Sequence, residues 1–342
     1  MSLLDKSLRL GLAAPGSLTR ERVIMPDAAT KPDLLLVGHY PDWDLDAFGQ
    51  AYVVHRHLAT PDQRVDLALV GPRIRAIATR GDIGAKADLI AACPNLEIVS
   101  VYGVGYDGVN TAACRERGIR VTTTPGVLTE DVAELALGLL LVLSRRMSEA
   151  ERYARDGRWV SDGHFPLTRR VTGMRAGILG LGQIGRSLAR RLEAFGMIIA
   201  YSSRAPKTDV SWEFCPTPEE LATRSDALFV TLSANADTRS IVGRSVLDAL
   251  GPGGLLVNVS RGSNIDEEAL IAALAERRIG GAALDVFPNE PHIDPRFFSL
   301  PNVVLQPHMG SATVEARKSM GRVMRENLAA HFEGRPLPNP VL

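Results

Sequence analysis

The sequence predicts an α/β protein with two doubly wound parallel sheets. Short, almost continuously apolar runs alternate with segments of helical pattern, which is typical of strands that helices cover on both faces. This rhythm occurs twice along 342 residues, a length that suits two domains because single domains commonly have about 100 to 200 residues. A hydrophobic content of 45% with 23% charged residues is that of an ordinary globular protein.

The first predicted domain begins at residue 33, after an N-terminal extension over residues 1–32 that has no clear periodicity. Its strands are predicted in the runs DLLLVGHY, AYVVHRH, IRAIATRG, LEIVSVYGVG and IRVTTT. The turn Thr124-Pro125-Gly126 then predicts a hinge. It is followed by TEDVAELALGLLLVLSRR, which predicts a long interdomain helix with acids at its start and arginines at its end. We interpret the polar segment over residues 147–172 as an arm that lies on a neighbouring subunit.

The second predicted domain covers residues 125–309. Six strand-like runs lie in MRAGILGLG, MIIAYSS, ALFVTLS, GLLVNVS, GAALDVF and NVVLQPH, and six parallel strands fit a Rossmann dinucleotide-binding sheet. The final segment ATVEARKSMGRVMRENLAAHFEG predicts a helix that returns to the first domain. The Rossmann domain would then be inserted into a smaller, flavodoxin-like substrate domain made of residues 33–124 and 310–342.

A glycine-rich turn follows the first strand of the second series. Gly180, Gly182 and Gly185 form the pattern G-x-G-x-x-G between an apolar strand and an amphipathic helix. The first glycine allows a tight turn, the second lets backbone amides approach a pyrophosphate, and the third allows close packing of helix on strand. A turn of purely structural purpose is the alternative, but the strand-turn-helix context favours phosphate binding.

The end of the following strand predicts which dinucleotide binds. In proteins that bind NAD, an acid about 20 residues after the glycines accepts the ribose hydroxyl groups. This chain instead has Tyr201, Ser202, Ser203 and Arg204 there, and Arg204 with Lys207 can hold a 2′-phosphate through charge-assisted hydrogen bonds. We therefore expect a preference for NADP (NADPH), with NAD possible. The alternative is that both cations belong to a solvated surface.

Three later segments place polar side chains at predicted strand ends: VNVSRGSNIDEEAL, GAALDVFPNEP and LPNVVLQPHMGSAT. Their order and content, with the glycine turn and TPGVLTEDVAELALGLLL, closely resemble the D-isomer-specific 2-hydroxyacid dehydrogenase family from about residue 33 to the C-terminus. Within that family, VSVYGVGYDGVN, FPLTRRVTGMRAGILGLGQIG and YSSR most resemble glyoxylate and hydroxypyruvate reductases, including plant hydroxyphenylpyruvate reductases. The resemblance implies a homodimer with catalytic residues Arg261, Glu290 and His308.

These three residue types also fit the reduction of a 2-keto acid. The planar guanidinium of Arg261 can hold a carboxylate and polarise the adjacent carbonyl group. An imidazole titrates near neutrality, so His308 can protonate the alkoxide that hydride transfer leaves. Glu290 would hydrogen-bond the other ring nitrogen and orient the imidazole. Singly, each residue could be a packed loop residue, a carbonyl cap or a solvated turn. Together with the resemblance, which implies glyoxylate or hydroxypyruvate as the substrate and the D-2-hydroxy acid as the product, they lead us to expect NADPH-dependent reduction of a small 2-keto acid.

Further binding residues follow from the resemblance and from strand-end positions. Substrate binding is expected from Tyr102, Val104 and Gly105 alongside Arg261 and His308, and Tyr102 would narrow or polarise the pocket. Asp285 would approach the nicotinamide carboxamide, with a strand-end cap as the alternative. Trp159 resembles a tryptophan that reaches the neighbouring subunit's site. The expected cofactor-binding residues are Gly180, Leu181, Gly182, Gln183, Ile184, Gly185, Ser203, Arg204, Lys207, Leu232, Thr238, Val259, Asp285 and Gly310.

The composition argues against several classes of protein. Lys plus Arg and Asp plus Glu each number 39, so no global field would hold a nucleic acid or a membrane surface. The longest apolar run, Leu135–Leu143, is shorter than the roughly 20 residues that span a bilayer. The three cysteines, Cys93, Cys114 and Cys215, suit buried thiols in a cytoplasmic protein.

No metal site is expected, because His55 and His57 have no nearby ligands of suitable spacing. Formate dehydrogenase is an alternative within the fold, but Glu290 argues against it because a glutamine replaces this acid there. A phosphoglycerate dehydrogenase is also possible, although no regulatory domain follows Leu342. A dinucleotide-sensing protein resembling the C-terminal binding protein corepressors could retain the same residues, and only turnover would distinguish it.

Overall fold

The computed structural model describes residues 31–58 and 64–342, so the expected extension lies outside the described residues except for positions 31 and 32. The first sheet has five strands: β1 (Asp33–Val37), β2 (Val53–His57), β3 (Ile74–Arg80), β4 (Ile98–Tyr102) and β5 (Arg120–Thr122). All are parallel, in the order β2-β1-β3-β4-β5, which is the doubly wound order of flavodoxin-like folds. Each strand matches one of the predicted apolar runs.

Helices cover this first sheet and explain why its strands are apolar on both faces. The helices between its strands are α1 (Asp42–Ala51), α2 (Leu67–Val70), α3 (Ala87–Ala91) and α4 (Thr111–Glu116). The successive residues Leu34, Leu35 and Leu36 of β1 are all buried, although they point alternately to opposite faces. This double burial produces the continuous apolar runs of the sequence.

The segment between the two sheets is helical. The predicted long helix is α5 (Thr129–Ser144), and Glu130 and Asp131 lie in its first turn. It packs against the second sheet and is followed by α6 (Met147–Arg155) and α7 (Arg158–Ser161). The segment interpreted as an arm therefore contains these two short helices. Its predicted contact with another subunit stays a prediction.

The second sheet has seven strands: β6 (Arg175–Leu179), β7 (Ile198–Ser202), β8 (Glu213–Phe214), β9 (Ala227–Val230), β10 (Leu255–Asn258), β11 (Gly281–Leu284) and β12 (Val303–Leu305). Their order, β12-β11-β10-β9-β6-β7-β8, is that of a Rossmann sheet of six strands, β6 to β11, with β12 added at one edge. The accompanying helices are α8 (Gln183–Ala194), α9 (Pro218–Thr223), α10 (Arg244–Leu250) and α11 (Glu267–Ala275).

The expectation of six strands in this sheet was one too few. The strand that the sequence analysis missed is β8, which has two residues and pairs only with β7 at the edge of the sheet. Glu213 is exposed and Phe214 only partly buried, so the segment carries no apolar run that a sequence pattern could detect.

The last helix, α12 (Val314–Phe332), returns to the first sheet as predicted and contacts α1 and β4. It begins after Thr313, whose hydroxyl oxygen accepts a hydrogen bond from the Ala316 amide. Asp44 of α1 is fully buried and pairs with Arg325 of α12. One apolar cluster includes Leu36, Leu140 and Ile178 and so runs continuously from the first sheet through α5 to the second. None of the helices in residues 31–58 and 64–342 is long and apolar enough to cross a membrane.

Candidate active site

A cavity of about 430 Å³ lies where the carboxyl ends of the two sheets face each other. Ten of the residues predicted from sequence line it: Tyr102, Val104, Gly105, Ile184, Leu232, Val259, Arg261, Asp285, His308 and Gly310. Glu290 and His308 line an adjoining cavity, together with Arg261. Residues from both sheets thus meet at one place.

His308 and Glu290 form a hydrogen-bonded pair at the edge of this cavity. The Nδ1 atom of His308 lies 2.6 Å from Oε2 of Glu290, and both side chains are mostly buried. The other oxygen of Glu290 accepts a hydrogen bond of 2.9 Å from the Phe287 amide, which fixes the carboxylate. With Nδ1 engaged, Nε2 is the ring atom that remains available to a ligand. This is the arrangement of a proton donor and the carboxylate that orients it.

Asp285 holds the loop that carries His308. Its carboxylate is buried and accepts hydrogen bonds from the amides of Met309 (2.7 Å) and Gly310 (2.9 Å), while its carbonyl oxygen accepts one from the His308 amide (2.9 Å). Burial raises the pKa of Asp285, although the two amides and His308 oppose this shift. Both carboxylate oxygens already have donors within the chain. The expected contact with a carboxamide therefore stays a prediction.

Arg261 projects from the end of β10 towards the first sheet. Its Nε atom donates to Oδ1 of Asp107 at 3.0 Å, and Nη1 donates to the backbone oxygen of Ser260 at 2.8 Å. A Cβ atom at position 105 would lie 2.0 Å from Nη2, so the close approach of the guanidinium requires Gly105. The sequence analysis missed Asp107, whose only signal is an acid two positions after that glycine.

Tyr102 contributes its ring to the cavity wall but not its polarity. Its hydroxyl group lies 2.9 Å from Oδ2 of Asp44 and 2.6 Å from the backbone oxygen of Arg317. Burial and the charge of Asp44 raise the pKa of Tyr102 well above its usual range. The expectation that Tyr102 polarises the pocket is therefore corrected, because its hydroxyl group donates to Asp44 of α1 and to the backbone of α12.

The glycine turn has the geometry that its sequence predicts. Gly180 has a φ of 105°, and a Cβ there would lie 2.6 Å from the amide nitrogen of Leu232. A Cβ at Gly185 would lie 2.3 Å from the Gly180 oxygen, so helix and strand pack closely. At Gly182, immediately before α8, an added Cβ would meet no heavy atom within 4 Å. The helix N-terminus therefore faces open space that a pyrophosphate fits. Leu181 and Gln183 complete the turn.

The residues expected to select NADP lie at the end of β7. Arg204 is exposed, and in the described residues neither Arg204 nor Lys207 has a carboxylate within 4.0 Å. The Lys207 amide donates to the Tyr201 hydroxyl at 2.7 Å, and the Ser203 hydroxyl donates to the Ala205 oxygen at 2.7 Å, which shapes the turn. Both cations thus remain available to an anion.

Thr238 does not line the cavity. Its hydroxyl donates to the Ser233 oxygen at 2.9 Å and accepts from the Asn235 amide at 2.9 Å, closing a short turn over Ala236–Thr238. The side chain of Thr238 therefore orders the loop after β9, and the expected contact with the cofactor stays a prediction.

The structure also places Asp82 close to His308, and the sequence analysis did not predict Asp82 as part of the site. Asp82, Glu290 and His308 offer atoms that lie within 4.8 Å of one another, a spacing compatible with a metal ion. Burial alone would raise the pKa of Asp82, but the charges of Arg80 and His308 outweigh it and lower that pKa. His55 was not expected to bind a metal, and its Nε2 atom lies 2.6 Å from Oδ1 of Asp33.

The comparisons with known proteins point to one family. The model described as D-isomer specific 2-hydroxyacid dehydrogenase, NAD binding domain, matches residues 137–310. Glyoxylate/hydroxypyruvate reductase A of Arabidopsis thaliana is 50% identical over 287 residues, which are 84% of this chain and 91% of the relative. Hydroxyphenylpyruvate reductase of Plectranthus scutellarioides is 46% identical over 303 residues, 89% of this chain and 96% of the relative.

Solved structures agree with these relatives. A 2-hydroxyacid dehydrogenase from Ketogulonicigenium vulgare superposes with a TM-score of 0.84 and is 58% identical, covering 92% of this chain and 99% of that one. An NADPH-dependent glyoxylate/hydroxypyruvate reductase from Sinorhizobium meliloti, in complex with NADP and malonate, has a TM-score of 0.86 and 42% identity, covering 91% and 97%. The predicted fold class, two parallel-sheet α/β domains, is confirmed.

Proposed function

Because the chain belongs to the D-isomer-specific 2-hydroxyacid dehydrogenase family, we propose that it reduces a small 2-keto acid to the D-2-hydroxy acid, with NADPH as the reductant. The chain is an NAD(P)-dependent oxidoreductase. The single observation that carries the proposal is the pair of His308 and Glu290, 2.6 Å apart, at a cavity that Arg261 also lines. Glyoxylate and hydroxypyruvate are the substrates we propose, since both are named in close relatives.

Each catalytic side chain has one task in this proposal. Arg261 holds the carboxylate of the substrate and polarises the keto oxygen through its forked donors. NADPH, when bound, supplies the hydride to the carbonyl carbon. His308 gives its Nε2 proton to the oxygen that becomes negative, while Glu290 stabilises the charged imidazole. Asp285 positions the His308 loop through the amides of Met309 and Gly310.

The glycine turn and the end of β7 would hold the cofactor. The open space at Gly182, ahead of the α8 N-terminus, fits the pyrophosphate, and Arg204 and Lys207 fit a 2′-phosphate. We assign residues 125–309 to the cofactor-binding domain and residues 33–124 and 310–342 to the substrate domain. The turn at Thr124-Pro125-Gly126 is the hinge about which these domains close in our proposal.

We further propose a cytoplasmic homodimer. The three cysteines are unpaired thiols, which suits a reducing compartment. Exposed apolar side chains at Met147, Trp159, Val160 and Leu167 lie on the arm after α5, where a second copy would cover them. A dinucleotide-sensing protein without turnover is not favoured, because the relatives are reductases.

The experiment replaces the proton donor. In His308→Ala, we expect kcat for NADPH-dependent reduction of glyoxylate and hydroxypyruvate to fall about 10² to 10⁴-fold, because general acid catalysis contributes this much. Binding of NADPH, followed by its fluorescence, should stay close to that of the wild type. The control is His292→Ala, an exposed histidine outside the cavity lined by Arg261. Equal turnover in His308→Ala and wild type would refute the assignment.

A further inference from the structure

Three arginines line the proposed substrate cavity, and they differ in their partners. Arg261 is paired with Asp107 at 3.0 Å, and Arg80 makes two bonds of 3.2 Å to the carboxylate of Asp82. Arg317, on α12, also lines the cavity. In the described residues, no carboxylate lies within 4.0 Å of its guanidinium group. The cavity therefore contains one guanidinium group that forms no direct ion pair with a carboxylate of the described residues.

The surroundings of Arg317 make this lack of a partner costly. Its guanidinium lies 5.7 Å from the centroid of the Tyr102 ring, which offers only the weak attraction of an aromatic face. Burial, and then the positive charge of Arg80, lower the pKa of Arg317. A partly buried charge without a counter-ion destabilises a folded protein, and an anionic ligand would remove that penalty.

The cavity also connects Arg317 to the place where the keto acid would bind. Arg80 precedes Gly81, and a Cβ at Gly81 would lie 3.1 Å from Nη2 of Arg261. The loop after β3 therefore passes close to Arg261, while Arg80 is close enough to Arg317 to affect its pKa. Arg261, Arg80 and Arg317 thus line one cavity, and the first two are paired with Asp107 and Asp82.

We propose that Arg317, with Arg80 beside it, forms a second anion subsite, so that the enzyme also accepts 2-keto acids with a carboxylate or phosphate group at the far end and favours them over the same acids without that group. This inference rests on the proposed function, because Arg261 must hold the first carboxylate and His308 must face the keto oxygen. The reaction remains the same: the carbonyl carbon gains a hydride from NADPH and its oxygen gains a proton from His308. The second anionic group takes no part in bond making and only positions the substrate.

The test compares substrates that carry the far anionic group with substrates that lack it. 2-Oxoglutarate is compared with 2-oxopentanoate, which lacks the far carboxylate, and phosphohydroxypyruvate is compared with hydroxypyruvate. We expect the wild type to prefer the doubly charged member of at least one pair by about tenfold or more in kcat/KM, as one charge-assisted contact provides. The pair that shows the preference distinguishes a carboxylate from a phosphate.

Two variants assign the preference to Arg317. In Arg317→Met, which removes the charge but keeps an unbranched side chain, the preference should fall about tenfold, chiefly through KM. Arg317→Lys restores the charge and should recover part of it. The neighbouring Lys318 is exposed and lies 5.7 Å from the Trp43 ring, so Lys318→Met is the matched control and should leave the preference unchanged.

A measurement on the wild type alone guards against variants that fail to fold. Glutarate should inhibit glyoxylate reduction about tenfold more tightly than butanoate, because only glutarate reaches both subsites. The inference is overturned if glyoxylate is reduced but neither doubly charged substrate is preferred, or if the preference survives in Arg317→Met. A wild type that turns over no 2-keto acid, glyoxylate included, would overturn the proposed function as well.

Discussion

Among single residues, His308 has an unusual backbone. Its φ of 52° lies in the left-handed region, which costs a residue with a side chain about 1 to 3 kcal/mol. The hydrogen bond from its amide to Asp285, and those from the next two amides to the Asp285 carboxylate, offset this cost. The loop therefore aims the imidazole at Glu290 because a buried acid fixes three successive amides.

Gly105 provides a test at the same scale. In Gly105→Ala, the new methyl group would overlap Nη2 of Arg261, so the guanidinium must move, and overpacking of this kind costs about 1 to 3 kcal/mol. We expect KM for glyoxylate to rise by about tenfold or more, with little change in NADPH affinity. Steady-state kinetics and fluorescence titration check both values.

The control for this change is Gly138→Ala in the middle of α5. An added Cβ at Gly138 meets no heavy atom within 4 Å, and alanine favours helices over glycine by up to about 1 kcal/mol. This variant should keep wild-type kinetics with a slightly higher melting temperature. A KM for glyoxylate that is equal in Gly105→Ala and wild type would show that Arg261 does not hold the substrate.

At the scale of elements, we propose that the end of β7 determines the choice of dinucleotide. Arg204→Ala removes one of two unpaired cations there, so we expect the Kd of NADPH to rise about tenfold while that of NADH changes little. Arg190→Ala, an exposed arginine on α8, serves as the control for a general loss of positive charge. Equal weakening of both dinucleotides by Arg204→Ala would place the 2′-phosphate elsewhere.

For the whole molecule, Glu97 joins the first sheet to the last helix. Its carboxylate lies 2.5 Å from Nε of Arg75 and 3.0 Å from Nε2 of His331. Burial would raise the pKa of Glu97, but its bonds to Arg75 and His331 outweigh this and lower it. A carboxyl group whose pKa is lower in the folded state stabilises the fold above its unfolded pKa, and loses this effect as pH falls through the folded value.

Melting temperatures of wild type and Glu97→Gln should therefore differ at pH 7 and converge as the pH falls below the usual pKa of a glutamate, about 4.3, and then through the lowered pKa of Glu97. The difference at pH 7 should be small, because partly exposed ion pairs contribute only about 0.2 to 1 kcal/mol. The matched control is Glu276→Gln, whose carboxylate bonds Arg278 two positions away and joins no separate elements. A Glu97→Gln difference that is constant with pH would refute the role of its charge.

The sequence predicts most of this molecule because every strand except β8 has its own apolar pattern, and because each proposed catalytic residue follows the end of a strand. The family resemblance, together with these strand-end positions, indicates Arg261, Glu290 and His308. The strand β8 could not be predicted, because an edge strand of two residues has no pattern. Asp107 and Arg317 could not be predicted either. Asp107 bonds Arg261 although the two residues are 154 positions apart in the sequence. Arg317 is of interest because it lines the same cavity as Arg80. Such long-range contacts depend on how the two sheets face each other, and a local sequence pattern does not predict that.

The return of α12 to the first sheet has a consequence for synthesis on the ribosome. Residues 314–332 are translated after every strand of both sheets, yet they contact β4 and supply Arg325 to the buried Asp44. Until α12 is translated, the first sheet of the nascent chain lacks this helix, and Asp44 lacks its partner Arg325. Domains usually fold in the order in which they emerge. Here the sheet translated first would mature last, so the nascent chain is most open to chaperones and proteases at its N-terminal half.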